Sequence, residues 1–189
     1  MKNWLIMMLA LAATALVVPL NCMAQGSNLV YNGGFEGPAD NGQPRDWLVN
    51  ISRGTEAEVS LDSVEKHSGS NSLKILVKPP GGRVIVYLDE TGAAPVSPGA
   101  TYEASCWIKT RSLDYNPFRE APAFRLNFGP QRLRPGKIAD LINLIGKTSD
   151  WTKITMATAV PQGSNRLHLD FIFTNGTAWI DDIAVRKVE

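Results

Sequence analysis

The stretch TYEASCWIKT, residues 101–110, alternates with a period of two. Tyr102, Ala104, Cys106 and Ile108 form one small or apolar face, and Glu103, Ser105, Trp107 and Lys109 form the other. That period marks a strand with one side against a core. It also leaves Trp107 among polar neighbours, on the side that should meet water. A tryptophan there asks for a bound partner or for a different register.

Working outward, the same pattern recurs along the chain. Short alternating segments predict strands over residues 28–35, 46–51, 57–62, 72–77 and 83–89, then 101–109, 123–128, 152–160, 166–173 and 177–185. Gly37-Pro38, Asn41-Gly42, Pro79-Pro80-Gly81-Gly82, Pro98-Gly99 and Asn175-Gly176 supply turn and loop chemistry between them. Ile138, Leu141, Ile142 and Ile145 recur at helical spacing after Pro135-Gly136, which predicts one short helix covering an edge or end. The expected fold class is an all-β sandwich of antiparallel sheets with that helix, in a single domain over residues 25–189.

The polar faces hold the candidate binding residues. Val84, Val86 and Leu88 alternate with Arg83, Ile85, Tyr87 and Asp89. Phe124, Leu126 and Phe128 alternate with Arg125 and Asn127, and Leu167, Leu169, Phe171 and Phe173 with Arg166, His168, Asp170 and Ile172. If these strands share one sheet with 101–109, its outer surface collects Trp107, Tyr87, Arg125, Asn127, His168, Asp170, Lys109 and Arg83. A solvated sheet face is the plain explanation. The other is a carbohydrate site, where pyranose C–H faces pack on an aromatic ring and hydroxyls bond to amide, guanidinium and carboxylate groups.

Composition narrows the classes. Lys2 precedes an apolar run from Trp4 to Val18, and Cys22-Met23-Ala24 offers small residues for cleavage after Ala24, the pattern of a signal peptide. The expected location is secreted or periplasmic. A lipoprotein attached through Cys22 is the alternative, ranked second because Pro19-Leu20-Asn21 lacks the small residue that precedes a lipidated cysteine. The run is short for a membrane anchor, so no transmembrane segment is expected. Beyond Ala24 acidic and basic residues balance, which suggests neither nucleic acid nor an anionic membrane as partner. Only Cys106 follows that point, so it has no partner for a disulfide and reads as a small buried hydrophobe.

Five motifs, NLVYNGGFEG, HSGSNSLKI, SPGATYEASCWIKT, SDWTKITMATAVPQG and GTAWIDDIAV, stand in an order and spacing that resembles carbohydrate-binding modules of the family 4 and 9 type. That resemblance implies a galactose-binding-domain-like jelly-roll sandwich with one concave sheet able to hold a glycan chain. It implies scaffold roles for Trp47, Trp151 and Trp179, and a sugar-stacking role for Trp107. It also implies a structural Ca²⁺ held by Gly34, Glu36, Ser68, Asn71 and Asp181, with Asp182 alternating to the opposite face. Oxygen donors of this mix suit calcium, and a metal stapling distant segments would offset the missing disulfides. The stretch between Lys109 and Trp151 departs from the family pattern. Tyr115 and Phe118 there either rim a cleft or pin the loop to the core.

Three functions compete. No HExxH, GxSxG or Cys-His cluster is present, and the best enzymatic case is Glu103 or Asp89 paired with Asp170 as glycosidase carboxylates. A protein-interaction or cell-surface accessory module of the same fold is the second. The first expectation is a non-catalytic module that binds a polysaccharide or oligosaccharide, with a glycoside hydrolase or a surface protein as partner.

Overall fold

The structure, a computed structural model, describes residues 27–89, 95–114, 121–129, 134–141 and 149–188, with side chains of 134–140 left aside. The segment expected to be a signal peptide, with Tyr115, Phe118, Ile142 and Ile145, lies outside these residues.

The chain forms β1 (Ala39–Asp40), β2 (Gln43–Pro44), β3 (Trp47–Ile51), β4 (Ala57–Asp62), β5 (Ser72–Val77) and β6 (Val84–Leu88). It continues with β7 (Thr101–Arg111), β8 (Ala123–Phe128), β9 (Arg134–Asp140), β10 (Ser149–Ala159), β11 (Leu167–Phe173) and β12 (Gly176–Val188). Strands β1 and β2 are a small hairpin turned by Asn41-Gly42, both at positive φ, as a two-residue hairpin requires. The others make two five-stranded antiparallel sheets. Sheet I has the order β10-β7-β12-β5-β4 and sheet II the order β3-β6-β11-β8-β9. The chain switches sheets repeatedly, and the fold is an all-β jelly-roll sandwich.

The core lies between the sheets and follows the alternation read from sequence. Ala104, Cys106 and Ile108 of β7, Val84 and Val86 of β6, and Phe124, Leu126, Leu167 and Phe171 of sheet II are all buried in it. Phe124 stacks on Phe171 with centroids 4.6 Å apart, and Trp47 meets Phe35 and Phe171. Burial pushes the Cys106 thiol far above the ordinary range, so it is an inert packing group.

Two expectations are corrected. No helix occurs among the described residues. Strand β9 pairs with β8, Arg125 opposite Ile138 and Phe124 opposite Ala139. Gly136 falls in a register shift, since Leu126 faces Lys137 and Asn127 faces Pro135. Pro135-Gly136 is therefore a bulge on an edge strand, where proline costs no ladder bond, rather than a helix start. Residues 28–35 are likewise not a strand. They run as a turn-rich segment tied to β12 through Leu29 N to Val185 O at 2.8 Å and Ile183 N to Gly33 O at 2.9 Å.

Candidate functional site

Sheet membership splits the predicted constellation. Trp107 and Lys109 stand on β7 in sheet I, whereas Tyr87, Arg125, Asn127, His168 and Asp170 stand on β6, β8 and β11 in sheet II. Arg83 immediately precedes β6, its amide bonded to Thr55 Oγ1. Both groups face away from the core, but from opposite sheets, so they do not form one site. A period of two tells which residues face outward, not which sheet carries them. Glu103 and Asp170 fall on different sheets for the same reason, and that carboxylate pair does not exist.

On sheet II the outward residues are held by register. Asp170 lies between Tyr87 of β6 and Arg125 of β8, and His168 lies opposite Asn127. Arg125 Nε donates to Asp170 Oδ1 at 2.5 Å, and Asn127 Nδ2 donates to Asp170 Oδ2 at 3.3 Å. His168 Nε2 donates to the Gly129 carbonyl at 3.1 Å, which fixes the proton on Nε2. Asn127, His168 and Asp170 are only 5–7 % exposed, as buried as core residues although they point away from the core. A charge this buried persists because it is paired and each of its oxygens accepts a hydrogen bond. The result is a fixed polar floor with Tyr87 and Arg125 only partly exposed beside it.

On sheet I the outward face carries a strap, residues 63–71, from the β4–β5 connection. It explains the odd tryptophan. His67 stacks on Trp107 with centroids 3.9 Å apart and planes 15° apart, and Trp151 meets His67 edge-on. Lys109 Nζ bonds Glu65 Oε2 at 2.8 Å, which holds its ammonium above the ordinary lysine range. Buried Trp179 donates its indole N–H to Asp62 Oδ2 at 2.9 Å. Trp107 thus has its predicted register, but one of its faces is covered by the protein's own loop.

The predicted metal residues gather around this strap. Glu36 Oε1 accepts the Ser70 and Asn71 amides, both at 2.8 Å, and those bonds lower its pKa. Asp181 Oδ2 accepts the His67 and Ser68 amides at 2.9 and 3.0 Å. Burial, more than any neighbour, raises the Asp181 carboxyl. Asp182 corrects a sequence reading: a bulge between Asp181 and Ala184 breaks the alternation, and Asp182 takes φ +48°. Its carboxylate therefore turns to the strap as well, accepting His67 Nδ1–H at 2.6 Å and Ser68 Oγ–H at 2.8 Å. A Cβ added to Gly34 would sit 3.7 Å from Asp182 Oδ1 and 3.9 Å from Asp181 Oδ1. The candidate donors are oxygens, carboxylates from Glu36, Asp181 and Asp182 among them, the chemistry of a hard cation. Among the described residues, however, no three His, Cys, Asp or Glu side chains make a cage by themselves. A cation here would need backbone carbonyls to complete its shell. His67 and Asp182 were absent from the sequence-derived site because only the bulge and the strap bring them in.

No family model and no curated protein matches the sequence. Solved structures do match its fold. The xylan-binding CBM22-1 domain of Paenibacillus barcinonensis Xyn10C aligns at TM-score 0.53 and 18 % identity, over 87 % of this chain and 97 % of that one. A carbohydrate-binding module described as CBM4 aligns at 0.55 and 17 %, over 84 % and 99 %. The enzymatically active domain of bacteriophage CBA120 tailspike protein 4 aligns at 0.59 and 15 %, over 85 % of this chain but only 21 % of that one. At these identities the likeness is one of fold.

Proposed function

We propose that this chain is an exported, non-catalytic carbohydrate-binding module that lays a polysaccharide or oligosaccharide chain across the outer face of sheet II. One observation carries the reading: the buried Arg125–Asp170–Asn127 network, with His168 alongside, on a sheet face that points away from the core. Rigid donors and acceptors next to a partly exposed Tyr87 match what a sugar ring with directional hydroxyls needs. The fold shared with several carbohydrate-binding modules supports it, and kinship with the family 4 and 9 type is the finer form of the same proposal. Export after Ala24, a partner glycoside hydrolase and a structural Ca²⁺ at Gly34, Glu36, Ser68, Asn71 and Asp181 belong to it too. The calcium would supply charge neutralisation where Glu36, Asp181 and Asp182 converge.

A protein-interaction role is the second reading. It is favoured by Leu48, 41 % exposed on edge strand β3 and directly opposite Tyr87 in register. A glycan array probed with wild type and Tyr87→Ala separates the two. Binding to a defined polysaccharide, weakened in the variant, supports the first reading. Silence across all glycans sinks it and favours the second.

A further inference from the structure

A groove lies on the outer face of sheet I, across the sandwich from the sheet II floor, with a volume of about 330 Å³. Its shape follows from strand register. Ser105 of β7 and Ala184 of β12 face each other and make a low floor. On one side stands the row of Lys153 and Trp107, and on the other Arg186. Small residues between two rows of large ones leave a trough. The bulge that turns Asp182 toward the strap completes the wall.

The lining is chemically specific. Neither Lys153 nor Arg186 makes an ion pair or side-chain hydrogen bond among the described residues, and Glu103, opposite Arg186 in register, makes none with it. Asp182 is the acid in the lining, but its two oxygens are taken by His67 and Ser68. Trp107 is clamped in one orientation by the His67 stack, and the part of it left open lines the groove. Two uncommitted cations and a fixed aromatic surface call for a ligand with an anionic group and a ring. A backbone held at positive φ beside such a trough is also a feature that concentrates at binding sites.

We infer that this groove binds a carboxylate-bearing sugar unit, a uronate residue of an acidic polysaccharide, with its carboxylate on Lys153 and Arg186 and its ring against Trp107. The volume is at the small end for ligand sites, roughly 300–1,000 Å³, so it fits one or two rings rather than a long chain. The site is separate from the sheet II face and does not rest on it.

The test is titration of the whole chain with trigalacturonate, followed by calorimetry and tryptophan fluorescence, with a neutral galactotriose, acetate and inorganic phosphate as comparisons. Binding of trigalacturonate that weakens as salt rises is expected. Lys153→Gln and Arg186→Gln should each weaken it about tenfold, the size of one charge-assisted hydrogen bond. Ala184→Leu should fill the floor and abolish it, while Lys78→Gln, a surface cation outside the groove, should leave it unchanged. Both cation variants sit on the surface, so they remain informative if Ala184→Leu does not fold. The inference is overturned if trigalacturonate does not bind, if Lys153→Gln and Arg186→Gln bind as wild type, or if acetate or phosphate displaces it at equal concentration.

Discussion

At the scale of single residues, the two outward faces carry different kinds of energy. On sheet II it is electrostatic. Removing Arg125 leaves the buried Asp170 carboxylate with the Asn127 amide, so Arg125→Ala should destabilise the fold by about 3–5 kcal/mol in urea unfolding. Loss of under 1 kcal/mol would mean that Asp170 is solvated. On sheet I the energy is stacking and partial burial. Trp107 is half-buried under His67, so Trp107→Ala should cost about 1.5–3 kcal/mol, less than the ~3–5 of a true core aromatic. Trp107 was legible in the sequence as an outward-facing residue. Its cover was not, because alternation is a property of one strand and says nothing about which distant loop folds over it.

At the scale of elements, the strap is the part that the sequence least disclosed. Its residues are polar and irregular, and its place is set by carboxylates from three separate segments. Asp62 caps the Val64 and Glu65 amides, Glu36 takes those of Ser70 and Asn71, and Asp181 takes those of His67 and Ser68. Gly69 lies at φ +59°, and a Cβ there would approach Glu36 Oε1 to 2.5 Å, so Gly69→Ala should cost at least about 1 kcal/mol and raise amide exchange across 63–71. Unchanged exchange would count against the strap as a carboxylate-held unit. The strands themselves were readable, β4, β5 and β8 to the residue, because each buries one face. The β9 segment was misread since Ile138 and Leu141 satisfy a helical spacing equally well, and only pairing with β8 decides. Acid should act on the strap through Asp62. Burial, the largest influence on its carboxyl, raises it, but bonds from Trp179 and the Val64 and Glu65 amides, with Lys74 near, together hold it below the ordinary value. A folded pKa below the unfolded one gives stability that is present above about pH 4 and lost as pH falls through the folded value. Asp62→Asn should therefore flatten the fall in melting temperature below pH 4, and an unaltered acid limb would show that Asp62 is not the group responsible.

At the scale of the whole molecule, the sandwich has a core common to both sheets but two outer faces of different make, one a polar floor and the other a strapped surface beside a trough. Family resemblance pointed to Trp107 as the sugar platform of a single cleft. The topology puts Tyr87 on sheet II and Trp107 across the sandwich on sheet I, so glycan contacts argued for one face cannot be transferred to the other. What joins the segments of sheet I is the acidic junction of the 32–37 turn, the strap and β12, in a chain whose described cysteine, Cys106, is buried and free. Buried Asp181 meets the like charge of Asp182 there, both raising its carboxyl, and Glu36 feels Asp182 in the same sense. Converging negative charge is unfavourable unless a cation or enough N–H donors offset it. The proposed calcium makes the first choice testable. Since a ligand of the native state stabilises by mass action, chelator should lower the melting temperature by several degrees, added Ca²⁺ should restore it, and Glu36→Ala should abolish the response. An identical melting curve in chelator would assign the whole task to the backbone amides of the strap, and Glu36→Ala would then destabilise by the same amount with or without calcium.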